Sequence, residues 1–270
     1  MQIKKRVIFC TYSSIYSSKV LEQLIADDNI EVVAVINSTR ILHPEYSHLR
    51  GALKQIQTSG WHYAAYLFYV TELFRWLQPF FRFKKWPLKT IHGLVRQHNI
   101  PIHETRDINE QESIDFIIKN KPDYLLAAHF NQLIKPAVLD LTGFECLNIH
   151  PSLLPAYKGV DPVFFALQDK QNEIGVTVHK MAESFDSGEI IMQRSIAVDP
   201  SKSVCFYNCQ LFEEGVKLVI KWIKNKNQKV IRTLENTSGD YDSWPTVNDV
   251  KLFKNSGRRL ITLSELWYQQ

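Results

Sequence analysis

Cysteine is scarce in this 270-residue chain: Cys10, Cys146, Cys205 and Cys209 are the four, and none stands at metal-ligand spacing. That excludes a cysteine-based metal centre and a disulfide framework. It points instead to reduced thiols in a cytoplasmic protein, with Cys10 and Cys146 inside apolar runs that read as buried strands. A dominant sign of charge is missing too. Lys and Arg number 32 against 28 Asp and Glu, a net +4 that suits an anionic substrate but falls short of a nucleic-acid-binding signature. The apolar run after Lys4, Lys5 and Arg6 is only Val7 to Cys10, too short for the core of a signal peptide. No uncharged stretch of about 20 apolar residues occurs either, as a membrane span requires. Glu72 and Arg75 interrupt the most aromatic segment, and Pro79 would end or kink a helix there. Internal repeats and low-complexity tracts are absent, so one domain suffices.

What is present is an alternation of apolar runs and amphipathic segments. Val7-Ile8-Phe9-Cys10, then Ser13 to Ala26, then Glu31 to Ile36 predict strand, helix and buried strand. The pattern resumes with a strand at Ile100 to His103, a helix over Glu110 to Lys119 and a strand at Tyr124 to Ala128. A short helix near Ile134 to Leu141 and a strand at Cys146 to Ile149 follow. Gly175 to Met181 and Glu189 to Val198 have the β-branched content of two further strands, and Ser203 to Ile223 reads as a long amphipathic helix. Such alternation predicts an α/β, Rossmann-like, doubly wound and mostly parallel sheet.

Two segments break the order. Arg50 to Trp86 is an aromatic helical insertion in which Tyr63, Tyr66, Leu67, Val70, Phe74 and Leu77 recur at helical spacing. Trp61, Phe68, Tyr69 and Trp76 make its other faces aromatic, so burial on several sides is expected. Its readings are a lid, a homodimer face or, with Arg82, Lys84 and Lys85 after it, a peripheral membrane patch; burial in the core or a dimer is favoured. The tail from Asn225 to Gln270 reads as a small C-terminal appendage packed on the core. The basic cluster Lys221 to Arg232 before it reads as charged surface at a helix end. In domain terms, residues 1–200 form a catalytic domain with an insertion at about 50–90, and 201–270 a helix and tail.

The chemistry-bearing segment is Asn148-Ile149-His150-Pro151-Ser152-Leu153-Leu154-Pro155, where polar side chains leave a buried strand at its carboxyl end. Ligands of open parallel sheets bind at such ends. Residues two apart on a strand point to the same side, so an amide and an imidazole face one spot. An Asn N–H can stabilise a developing oxyanion and a His can exchange a proton, the two services that acyl transfer to an amine needs. Asp186, in the turn Phe185-Asp186-Ser187-Gly188, can present a carboxylate to the same edge. Each residue taken alone also reads as an ordinary strand-end or turn residue.

Together, Asn148 to Pro155, Lys158-Gly159 and Asp186-Ser187-Gly188 resemble the folate-dependent formyltransferase family, which includes glycinamide ribonucleotide, methionyl-tRNA and amino-sugar formyltransferases. The separation of His150 from Asp186 and the strand Gly175 to His179 between them are similar to the family's. The resemblance covers roughly residues 95–200 well, with fold-level similarity outside. It implies that Phe130, Gln132, Leu133 and Ile134 hold the pterin ring of 10-formyltetrahydrofolate, with Glu183, Ser184 and Phe185 forming the other wall. It further implies direct attack of a substrate amine on the formyl carbon. Asn148 and protonated His150 would stabilise the tetrahedral oxyanion and Asp186 would support His150, with no metal.

Among family branches, the glycine-free segment Thr11 to Ser18 departs from the phosphate loop of glycinamide ribonucleotide enzymes. The segment after the long helix is short for the β-barrel of methionyl-tRNA enzymes, and their usual Arg before Gly159 is Lys158. Strand one begins at Val7, so the amino-terminal regulatory domain of formyltetrahydrofolate hydrolases is not expected, and hydrolysis is the weaker enzyme reading. The expected partner is thus a small-molecule amine acceptor, a nucleotide-linked amino sugar foremost, with a siderophore precursor as another option and nucleic acid not expected. A non-catalytic folate- or nucleotide-binding module is the alternative from another class.

Overall fold

The computed structural model describes residues 3–40, 48–73, 90–225, 232–234 and 241–265. Five strands pair in parallel: β1 (Lys5–Thr11), β2 (Ile30–Ser38), β3 (Ile102–Thr105), β4 (Tyr124–Ala128) and β5 (Glu145–His150), in the order β3-β2-β1-β4-β5. A two-residue β6 (Lys158–Gly159) lies apart, and then β7 (Glu173–Lys180), β8 (Gly188–Ala197) and β9 (Arg232–Leu234) extend the sheet from β5, each antiparallel to its neighbour. β10 (Tyr241–Asp242) pairs with β6 as a separate small ribbon. The sheet is mostly parallel and α/β, as the alternation predicted.

Side-chain alternation on the strands makes two cores. Val7 and Phe9 of β1 and Leu126 of β4 face one side, against Val20, Leu21 and Leu24 of α1 (Ile15–Ala26). Ile8, Cys10 and Leu125 face the other, against helices α4 (Gln111–Asn120) and α5 (Pro136–Leu139), which supply Ile117 and Val138. The helix between, α3 (Ile91–Gln97), and α7 (Val204–Lys224) join the first core. Each fully buried Val, Leu, Ile or Phe contributes about 1.5–3 kcal/mol. Strand direction of winding reverses between β1 and β4, which opens a crevice outside their carboxyl ends.

The aromatic insertion begins as α2 (His48–Phe68), kinked at Gly60 and continued by a π-helical turn, Tyr69–Leu73. Tyr63, Tyr66 and Val70 are buried, as their spacing predicts. Burial on every side does not follow, because Trp61 is 64% and Phe68 47% exposed. Phe74, Trp76, Leu77 and the basic residues Arg82, Lys84 and Lys85 lie outside the described residues. No described helix is long and apolar enough to cross a membrane.

The described part of the tail packs on the core. Phe253 of α8 (Val247–Asn255) is fully buried and stacks on Phe164 of α6 (Pro162–Gln168), ring centroids 4.5 Å apart. Trp244 meets the edge of Tyr63 at 6.3 Å. In the basic cluster, Lys224 pairs with Asp27 at 2.8 Å at the end of α1, so this charge bridges two helices.

Candidate active site

Asn148 and His150 leave β5 on one side and line a single cavity of about 680 Å³. β7 runs antiparallel beside them, with Asn148 opposite His179. Register between β7 and β8 steps from Val178↔Met192 to His179↔Ile190, so Ile191 is an extra residue and the neighbours Ile190 and Ile191 are both buried. Such a bulge re-aims the side chains next to it. His179 Nε2 lies 3.1 Å from Asn148 Nδ2, and its Nδ1–H donates to the Lys180 carbonyl at 2.9 Å. Burial, together with the nearby His150 charge, pulls the His179 pKa down, so the ring is neutral. Its lone pair at Nε2 therefore accepts one Asn148 N–H and leaves the other for the cavity.

His150 is 5% exposed and held at both ends. Nδ1 pairs with Asp186 Oδ1 at 3.1 Å, and Nε2 donates to the Tyr157 carbonyl at 3.0 Å. Burial alone lowers its pKa, but the Asp186 charge and hydrogen bond and the Tyr157 carbonyl outweigh it, and the net shift is upward. Two acceptors at two nitrogens select the doubly protonated ring. For Asp186, burial opposes ionisation; His150 and the Gly159 N–H, donating to Oδ2 at 2.8 Å, override it and lower the pKa. The site thus holds an imidazolium–carboxylate pair, with both ring N–H groups engaged within the protein. With both nitrogens so engaged, what His150 presents to the cavity is its charge.

Two glycines make this possible. Gly159 has φ +101°, and a Cβ there would stand 2.2 Å from the Asp242 carbonyl oxygen, so only glycine lets β6 pair with β10 while its N–H reaches Asp186. Gly188 has φ +106°, and a Cβ would stand 2.3 Å from the Lys180 carbonyl oxygen; it permits the bend that aims Asp186 inward. Asp186 itself has φ +49°.

The expected pterin-pocket residues Phe130, Gln132, Leu133, Ile134, Ser184 and Phe185 also line the cavity. Glu183, at the start of the same loop, is exposed and is not among the residues that line it. The Gln132 side chain is likewise withdrawn, donating to Ser38 Oγ at 2.7 Å and to the Thr105 carbonyl and accepting from the Ile108 N–H, so only its backbone is free for a ligand. Asn131 Oδ1 is buried without a partner while its Nδ2 donates to the Arg40 carbonyl. An orphan acceptor in this wall fits a ring edge that donates hydrogen bonds, as a pterin does.

Sequence reasoning missed a third group of lining residues. Tyr63 donates to Asp161 Oδ2 at 2.7 Å, the Tyr16 and Tyr66 hydroxyls meet at 2.6 Å, and His129 packs edge-on to Tyr16 with centroids 5.4 Å apart. Trp244 and Tyr241 enter from the tail. The signals were weak: Asp161 two residues after Gly159, His179 at the end of an apolar strand, and Tyr residues that read as core. Among the described residues no His, Cys, Asp and Glu cluster is arranged to hold a metal ion.

A family model described as formyl transferase matches residues 80–223. Methionyl-tRNA formyltransferase of Thermotoga maritima is 31% identical over 134 residues, 50% of this chain and 43% of that protein, so the match spans less than half of the relative's length. Among solved structures, phosphoribosylglycinamide formyltransferase of Bacillus halodurans superposes with a TM-score of 0.54 at 18% identity, over 81% of this chain and 93% of that one. A sugar 3N-formyltransferase solved in the presence of dTDP and 5-N-formyl-THF gives 0.53 at 19% identity, over 90% and 70%. At these identities the structural likeness is one of fold.

Proposed function

Since the chain belongs to the formyl transferase family, we propose that it transfers a formyl group from 10-formyltetrahydrofolate to a primary amine of a small acceptor. The observation that carries this reading is the Asn148 amide beside the His150–Asp186 ion pair, all three lining one cavity. The co-substrate supplies the formyl group, and Phe130, Leu133, Ile134, Ser184 and Phe185 with the backbone of Gln132 would hold its pterin. Asn148 directs an N–H at the formyl oxygen, and the His150 charge stabilises the negative charge that grows there as the amine attacks. Asp186 keeps His150 protonated. The amine loses its proton as the C–N bond forms, and the leaving N10 of the folate takes one up. An amino sugar, nucleotide-linked or free, is the acceptor that the sugar-specific fold neighbour supports.

Incubation with 10-formyltetrahydrofolate and a panel of amines tests the reading. Tetrahydrofolate is expected to appear only when a suitable amine is present. Release without any amine would point to hydrolysis instead.

A further inference from the structure

The cavity's charges are sorted by region. Among the described residues, its two side-chain cations outside the His150 pair, Arg40 and Lys135, both lie on the pterin side, where both act on Asp107. The third group of lining residues holds a carboxylate, Asp161, and no cation among the described residues. Asp161 accepts from Tyr63 at 2.7 Å, from Asn208 Nδ2 at 3.4 Å and from the backbone N–H of Phe164. A carboxylate has about four acceptor positions, so capacity remains toward the cavity. Around it stand Tyr63, Tyr66 and Trp244, with Tyr63–Tyr66 centroids 5.8 Å and Tyr63–Trp244 centroids 6.3 Å apart. Burial raises the Asp161 pKa against the pull of its hydrogen bonds, which marks the charge as under-compensated.

A carboxylate in a cavity wall that also holds Tyr63, Tyr66 and Trp244 is complementary to an organic cation, chiefly through Coulomb attraction, with aromatic rings nearby that such a cation can meet. It repels phosphate. The segment Tyr12 to Ser18, where a phosphate loop would sit, spends its groups internally: Ser13 N–H and Oγ both engage Asn37 Oδ1, and Ser14 and Ser17 cap α1 reciprocally. We propose that Asp161 is a specificity-determining residue that binds a second ammonium group of the acceptor, and that the acceptor is a diamine or diamino sugar without phosphate. This narrows the acceptor of the transferase reading above and rests on that reading.

Calorimetric titration of the full chain with 1,4-diaminobutane, 1-aminobutane and dTDP tests it, with 5-formyltetrahydrofolate titrated in parallel. The diamine is expected to bind at least tenfold more tightly than the monoamine and than dTDP. Asp161→Asn is expected to erase the diamine's advantage, and Tyr63→Phe, which keeps the charge, to preserve most of it. Folate binding should be unchanged in both. Tighter binding of dTDP, equal binding of the two amines, or a diamine preference that survives in Asp161→Asn would each overturn the proposal. Loss of folate binding by the unmodified chain would instead remove the transferase reading, which separates the two failures.

Discussion

The ion pair between His150 Nδ1 and Asp186 Oδ1, 3.1 Å, joins the end of β5 to the turn before β8. Both shifts run toward the charged forms, upward for His150 and downward for Asp186. A histidine raised on folding contributes stability that is fully present below its unfolded pKa and lost as pH rises through the folded one. An aspartate lowered on folding contributes above its unfolded pKa and loses that as pH falls through the folded one. The pair is therefore intact between the lowered Asp186 pKa and the raised His150 pKa.

From this, turnover is expected to fall on the alkaline side at a pH above the ordinary imidazole range. Asp186→Asn should move that limb to lower pH and cost about 10²–10⁴ in kcat, the usual scale of a lost acid–base or charge-stabilising group. A pH–rate profile of the two proteins checks both; a limb that stays in place would sink the assignment of Asp186.

Replacing His150 itself by Asn should remove a comparable factor from kcat while 5-formyltetrahydrofolate still binds, because the ring's nitrogens are spent on Asp186 and Tyr157 and not on the pterin wall. Fluorescence titration and single-turnover assays separate the two effects.

His179→Phe should leave Asn148 free to rotate. Losing one oxyanion donor outright costs about 10²–10³. Misorientation should cost less, about tenfold in kcat, with folate affinity unchanged, measured by steady-state kinetics against each substrate.

Gly159→Ala forces a Cβ against the Asp242 carbonyl oxygen at a φ of +101°. A loss of about 1–3 kcal/mol is expected from the backbone strain, read from the denaturation midpoint, together with weakened Asp186 support visible as a lower apparent pKa of the alkaline limb.

Phe253→Ala should cost about 3–5 kcal/mol, as large aromatic truncations in a core do. Thermal denaturation checks this. A shift near zero would show that the tail adds little to the core, whereas Phe253 is fully buried on Phe164.

Much of the fold was legible because strand and helix periodicity is written along the chain. β4 runs Tyr124–Ala128 as predicted, and β1, β2, β5 and α7 differ from expectation only at their ends. The strand-end pair Asn148 and His150 was legible for the same reason, since i and i+2 share a face by covalent geometry. Side-chain direction was not legible where it depends on remote partners. Gln132 lines the cavity while its side-chain amide is taken up by Ser38 and Thr105, and Glu183 is exposed in the loop whose Asp186 reaches His150.

The chain's local pattern by itself determined the doubly wound α/β sheet and the position of the Asn148, His150 and Asp186 motif on it. Only the tertiary structure decided that His179 would hold Asn148, that both ring nitrogens of His150 would be occupied, and that Asp161 would stand among Tyr63, Tyr66 and Trp244. Those contacts join residues far apart in sequence through sheet register, a bulge and helix packing, and no periodicity along one segment encodes the partner that another segment brings to it.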